Sequence, residues 1–161
     1  CNDHLRDAEM YPFGVDKIVL IAHPEHPWSR KSAIAPSELV LGKFIFPGEA
    51  DSSYQTIRSS LEIMGIDILT LNSVITLGNS EAIAMAVQEG IGVAFVSGLV
   101  YENFCTNRVA PVQVHGLHIQ QDIHIGFQTN RPPSIAQETF KKFILSTNIQ
   151  DVLISEKFSK P

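Results

Sequence analysis

Ser52-Ser53 and Gly78-Asn79-Ser80 are the residues of this 161-residue chain best placed to do chemistry, because each precedes an amphipathic run. Hydroxyl and amide oxygens there accept the first N–H groups of a helix, while the spare N–H groups and the helix dipole favour a small anion. Capping and contact with an anionic ligand are compatible roles. The run Gly78-Asn79-Ser80-Glu81-Ala82 also follows G-x-S-x-G up to its last position, at a strand-to-helix turn suited to a nucleophile elbow. No histidine follows Asp151, however, and Asp122 and His124 lie two residues apart on one expected strand. A hydrolase reading is therefore disfavoured, and no catalytic residue is assigned.

His23 and His26 invite a metal reading, with His115, His118 and His124 as further nitrogen donors. Pro24 and Pro27 hold the first pair in extended chain, and no cysteine or carboxylate stands at a zinc-site spacing. No metal is expected, and no cofactor, since neither a G-x-G-x-x-G run nor a P-loop occurs. Cys1 and Cys105 make no disulfide framework, which fits a reducing compartment. Cys105 sits between Phe104 and Thr106 with Arg108 as the nearest cation, and reads as a buried, inert thiol.

The net charge of −5 argues against a surface that grips a phosphate backbone. With 44% hydrophobic and 18% charged residues, the composition is that of a globular protein. No apolar run approaches the ~20 residues of a membrane helix. No secretion signal is recognised, so a cytoplasmic location is expected. The chain begins with Cys1 rather than methionine and is read as a fragment.

The segment that organises these residues is 79–97, NSEAIAMAVQEGIGVAFVS. Asn79 and Ser80 can cap a helix whose apolar face is Ile83, Ala86 and Val87, widened by Met85. Gly90 ends that helix, Gly92 lets the chain turn in closely, and residues 93–96 form an apolar strand covered on both faces. Residues 1–16 read as a loop or a remnant of something upstream. Strands are expected at 18–22, 44–46, 72–77, 93–96 and 119–128, the last alternating Ile123, Ile125 and Phe127 with polar residues. Helices are expected at 53–64, with a Ser52/Gln55 capping box, at 99–104, and from Ser134, with a second box to Gln137. Ala136, Phe140, Phe143 and Ile144 share one face of that last helix. The alternation specifies an α/β fold with a mainly parallel, mixed sheet flanked by helices. The tail after Asn148 is unassigned.

The VQEGIGVAFVS segment resembles the V-x-x-G-x-G-[IV]-x-x-[LV]-[PS] run in effector-binding domains of LysR-type transcriptional regulators. The stretch DKIVLIAHPEHPWSRKSAIAPSELVLGKFIF resembles another segment of that family, with His26-Pro27-Trp28 its most specific element, and QTNRPPSIAQETFKKFI resembles the family's final strand exit and helix. The likeness covers roughly residues 16–146. It implies a periplasmic-binding-protein-like architecture of two α/β subdomains, joined by two crossover strands, with a small effector in the cleft. Residues 1–16 would be a remnant of the upstream subdomain. Residues 17–129 would be the second subdomain with both crossovers (17–22 and 123–129), and 130–161 the returning helix and tail. The helix-turn-helix, linker helix and most of the first subdomain would be absent.

The resemblance places Ser52, Ser53, Gly78, Asn79, Ser80, Val96 and Ser97 at the cleft, facing a small anionic effector. It makes Ala22, His23, His26, Gln128 and Thr129 hinge residues. It also implies a homodimer or tetramer formed through strand 72–77 and helix 80–89, and contact with DNA only through the missing domain, with no membrane partner. The alternative from another class is a solute-binding lobe of a transport system, which shares the fold but requires export.

Overall fold

In a computed structural model of the chain, residues 8–130 and 132–146 are described. Strand β1 (Ala8–Ala22) is followed by two 3-10 turns, Pro27–Arg30 and Pro36–Leu41. Next come β2 (Lys43–Phe46), α1 (Ser52–Ile63), β3 (Asn72–Thr76), α2 (Ser80–Gln88) and β4 (Ala94–Ser97). Helix α3 (Gly98–Val100) runs into a wider π turn, Tyr101–Cys105. Strands β5 (Ala110–Val112) and β6 (Ile119–Gln128) and helix α4 (Ile135–Ser146) complete the order. By packing, Asp16–Gln121 is one compact unit, and the described residues on either side of it form another.

The fold class is the expected α/β, with a mixed sheet. Strands β2 and β3 are parallel, and a parallel bridge joins Phe44 to Val93 through Val93 N–H to the Lys43 carbonyl (2.8 Å) and Ile45 N–H to the Val93 carbonyl (2.9 Å). Strand β1 instead runs antiparallel to both β4 and β5, and β6 also pairs with β1. The parallel pairs are thus on the β3–β2–β4 side, apart from a single parallel bridge between Ile34 and Val114.

Alternation along the strands sends side chains to two cores within the larger unit. Leu20, Phe44, Phe46, Val93 and Phe95 meet Tyr54, Ile57 and Leu61 of α1. Ile21, Ile45, Ala94 and Val96 meet Ile83, Ala84 and Val87 of α2, with Cys105 and Val109. The sheet is therefore sandwiched between α1 and α2, and residues 93–96 are buried on both faces as expected.

Several expectations need correction. Residues 8–16 belong to β1 and not to a loop, despite Pro12 and Gly14, because β6 pairs with them; Tyr11 meets Phe127 edge-on at 5.9 Å. Residues 1–7 and the tail after Asn148 lie outside the described residues. Met85 does not widen the buried face of α2, since it is 64% exposed. On α4 the Ser134–Gln137 box forms in both directions, but Phe140 and Phe143 are exposed while Ile144 is buried.

Candidate functional site

Because β3, β2 and β4 run the same way, their carboxyl ends share one edge, the usual place for ligands in open α/β sheets. Three chain turns leave that edge, into α1, α2 and α3. These turns, with the last residues of β4 and the first of α1 and α2, carry all seven residues expected to face an effector.

At α1 the cap is Asp51 and not Ser52. Its Oδ1 accepts from the Ser53 N–H (2.8 Å) and the Ser53 hydroxyl (2.6 Å), while the Gln55 side chain donates to the Glu49 carbonyl (2.7 Å). The expected Ser52/Gln55 box therefore does not form. Aspartate is as good a cap as serine and here lies one residue nearer the preceding turn. In consequence both Ser53 donors are engaged, and a carboxylate of the protein itself occupies the positive end of α1.

At α2 the Asn79 side-chain oxygen accepts from the Ala82 N–H at 2.6 Å, and Ser80 is the first helical residue rather than a cap. The Ser80 and Glu81 N–H groups, in the first turn, have no intrahelical acceptor. Unlike the α1 turn, this one pairs a neutral cap with first-turn N–H groups that have no intrahelical acceptor. Asn79→Ala should lower folding stability by about 1 kcal/mol in urea titration, the usual cost of losing an N-cap side chain.

At the end of β4 the Ser97 hydroxyl accepts from the Val100 N–H at 3.5 Å. Val96 is 3% exposed and its side chain packs in the core under α2, so only its main chain is presented at the edge. Asp16, the first residue of the DKIVLIA stretch but not among the expected site residues, is buried against this turn. Its Oδ2 accepts from the Gln121 side chain at 3.1 Å, and a Cβ built on Gly98 would stand 3.7 Å from its Oδ1.

The expected hinge residues fall in two places. Ala22 is fully buried and pairs with Ala110 in the sheet. His23 Nδ1 accepts from the Glu25 N–H, and His26 Nδ1 from the Trp28 N–H, each at 3.2 Å. The His26 ring stands edge-on to Trp28 at 5.0 Å, and burial, with His23 nearby, holds its pKa below the ordinary histidine value. These nitrogens cap turns. Gln128 and Thr129 are exposed and line a cavity of about 250 Å³ with Glu9, Phe127, Gln137 and Lys141. Among the described residues no group of three or more histidine, cysteine or carboxylate side chains could hold a metal ion. Cys105 is 1% exposed; burial pushes its thiol pKa up, and Arg108 offsets this in part.

Comparison with known proteins supplies the context. Residues 3–148 match the LysR substrate binding domain. The probable RuBisCO transcriptional regulator of Cyanidioschyzon merolae is 32% identical over 136 residues, which is 84% of this chain and 45% of that protein. The chain spans about half the length of the first relatives it matches. Among solved structures, the Synechocystis CcmR regulatory domain in complex with 2-PG superposes with a TM-score of 0.73 at 20% identity, covering 87% of this chain and 66% of that one. The effector binding domain of QuiR in complex with shikimate superposes at 0.76 and 16% identity, covering 89% and 66%.

Proposed function

This chain belongs to the LysR substrate-binding domain family, and on that premise we propose that it senses a small anionic effector for a cytoplasmic transcriptional regulator whose DNA contact is made by a helix-turn-helix outside these residues. The observation that carries the reading is the parallel edge, with its three turns and the open first turn of α2. Related domains hold 2-PG or shikimate; by extension, this chain takes a metabolite of that size at Gly78, Asn79 and Ser80, with Ser52, Ser53 and the main chain of 96–97 alongside. Residues 17–129 act as the second subdomain with both crossovers, and Ala22, His23, His26, Gln128 and Thr129 serve as hinges. Effector binding shifts the population of cleft conformations, and the shift is read by the DNA-binding part. Regulation rather than catalysis is the role. Among the described residues no helix is long and apolar enough to cross a membrane.

The test is a thermal-shift series with 2-PG and shikimate as probes. A rise in Tm that disappears in the Asn79→Ala/Ser80→Ala variant supports the site. An equal rise in that variant removes the site, and an esterase activity lost on Ser80→Ala would restore the hydrolase reading.

We propose further that copies pair through strand 72–77 and helix 80–89. All of β3 is exposed, and Val74 (42%), Ile75 (39%) and Met85 (64%) leave apolar area in water. Met85→Glu should shift sedimentation towards monomer, since it puts a charge into the contact without touching the core. Unchanged sedimentation of an oligomeric wild type would relocate the interface.

A further inference from the structure

Asp16 is a charged side chain only 2% exposed, and its Oδ1 has no hydrogen-bond partner among the described residues. The β1–β4 pairing ends at Ile18↔Ser97, and Asp16, two residues before Ile18, comes up against Gly98, where a Cβ would stand 3.7 Å from its Oδ1. Gly98 opens the helical stretch that runs on to Cys105, so the carboxylate lies beneath the positive end of that stretch. Gly98 has no room for a side chain on this side: a Cβ there would meet the Lys17 carbonyl at 2.9 Å. The charge is sealed from water, so its field reaches the surface above it through protein and is weakly screened.

Resting on the effector reading above, we propose that Asp16 is a specificity determinant that makes the Ser97–Gly98 end of the site reject anions. At α1 the exposed Asp51 side chain itself fills the first turn, accepting from the Ser53 N–H and hydroxyl. The neutral Asn79 leaves α2 as the anion seat, and Glu81, in its first turn, is exposed and screened by solvent. The effector class that fits is a small monoanion that presents a hydroxyl or amine group to Ser97. A compact molecule with an anionic group at each end fits poorly.

The test is a backbone-amide NMR titration of the 161-residue chain with inorganic phosphate. Phosphate is expected to move the Ser80 and Glu81 signals of the wild type and to leave Gly98 and Leu99 in place. In Asp16→Asn, Gly98 and Leu99 should respond as well, with apparent affinity at least about tenfold higher, as expected when a unit charge several ångströms away near a protein surface is removed. Gln121→Leu, which removes the donor and keeps the charge, should leave them unmoved. Wild-type movement at Gly98 and Leu99 equal to that at Ser80 overturns the proposal, as does no response in Asp16→Asn, or a Gln121→Leu response equal to that of Asp16→Asn. If Asp16→Asn does not fold, the wild-type contrast between the two turns decides. A silent Ser80 in the wild type, with Gly98 opened by Asp16→Asn, would sink the anion seat at α2 and leave the role of Asp16 standing.

Discussion

Phe44→Ala is expected to lower folding stability by about 4 kcal/mol in urea titration, close to the whole stability of a marginal domain. Phe44 is fully buried at the centre of β2. Its ring stacks on Phe46 at 5.3 Å and on Phe95 at 5.9 Å, and lies 6.4 Å from the tilted ring of Trp28. Truncation removes the ring's burial, these aromatic contacts, and the partner that fixes how β2, β4 and the 27–30 turn meet. The neighbouring rings are held by strands on two sides and cannot collapse fully into the gap. Phe140→Ala on α4 is the control. That ring is 51% exposed, and its loss should change stability by less than about 1 kcal/mol. Equal effects from the two substitutions would mean that the aromatic cluster does not hold the sheet together.

The contrast between these two phenylalanines also marks how far the sequence could be read. Both stand at apolar positions of regular patterns. Periodicity locates a face but not what covers it, so the α4 face looks like core in the sequence and is half in water here. The same limit applies to Met85. The segment around α2 was legible because every signal in it is local: the Asn79 cap, the Ile83–Ala86–Val87 stripe, the Gly90 stop with its φ of 72°, and the apolar strand behind it. The early part of β1 was hidden because Pro12 and Gly14 are weak strand residues, and the pairing that overrides them comes from β6, about a hundred positions later. Within the candidate site, the α2 turn followed from spacing. The cap at α1 was misplaced by one residue because aspartate and serine compete on nearly equal terms. Asp16 opens a stretch that the family likeness covers, but its burial was not legible, since it depends on Gly98 and Gln121, which the fold brings to it.

Gly92→Ala should be nearly as damaging as the loss of Phe44, at about 3 kcal/mol or more, although it adds a single methyl group. Gly92 and Gly90 lie two residues apart, and the contrast between them isolates the cause. Gly90 has a positive φ of 72° and open space around its missing Cβ, so alanine there suffers from backbone conformation alone and should cost about 1 kcal/mol. At Gly92 the methyl group would stand 2.4 Å from the Lys43 carbonyl oxygen and 3.3 Å from the Ile45 side chain. That carbonyl accepts the Val93 N–H, one of the two hydrogen bonds that join β2 to β4. The strand cannot retreat without opening this bridge, and the bridge is what sets the β3–β2 pair beside β4. The consequence reaches the site, because the same bridge aligns the carboxyl ends from which the turns at Asp51, Asn79 and Ser97 leave. Urea titration of the two alanine variants, followed by amide NMR of whichever folds, separates the possibilities. A large loss for Gly92→Ala with altered Asn79 and Ser97 signals supports a close backbone approach as the element that sets the edge. Equal, small losses for both variants would show that β2 and β4 can separate cheaply, and that the edge is positioned by the helices instead.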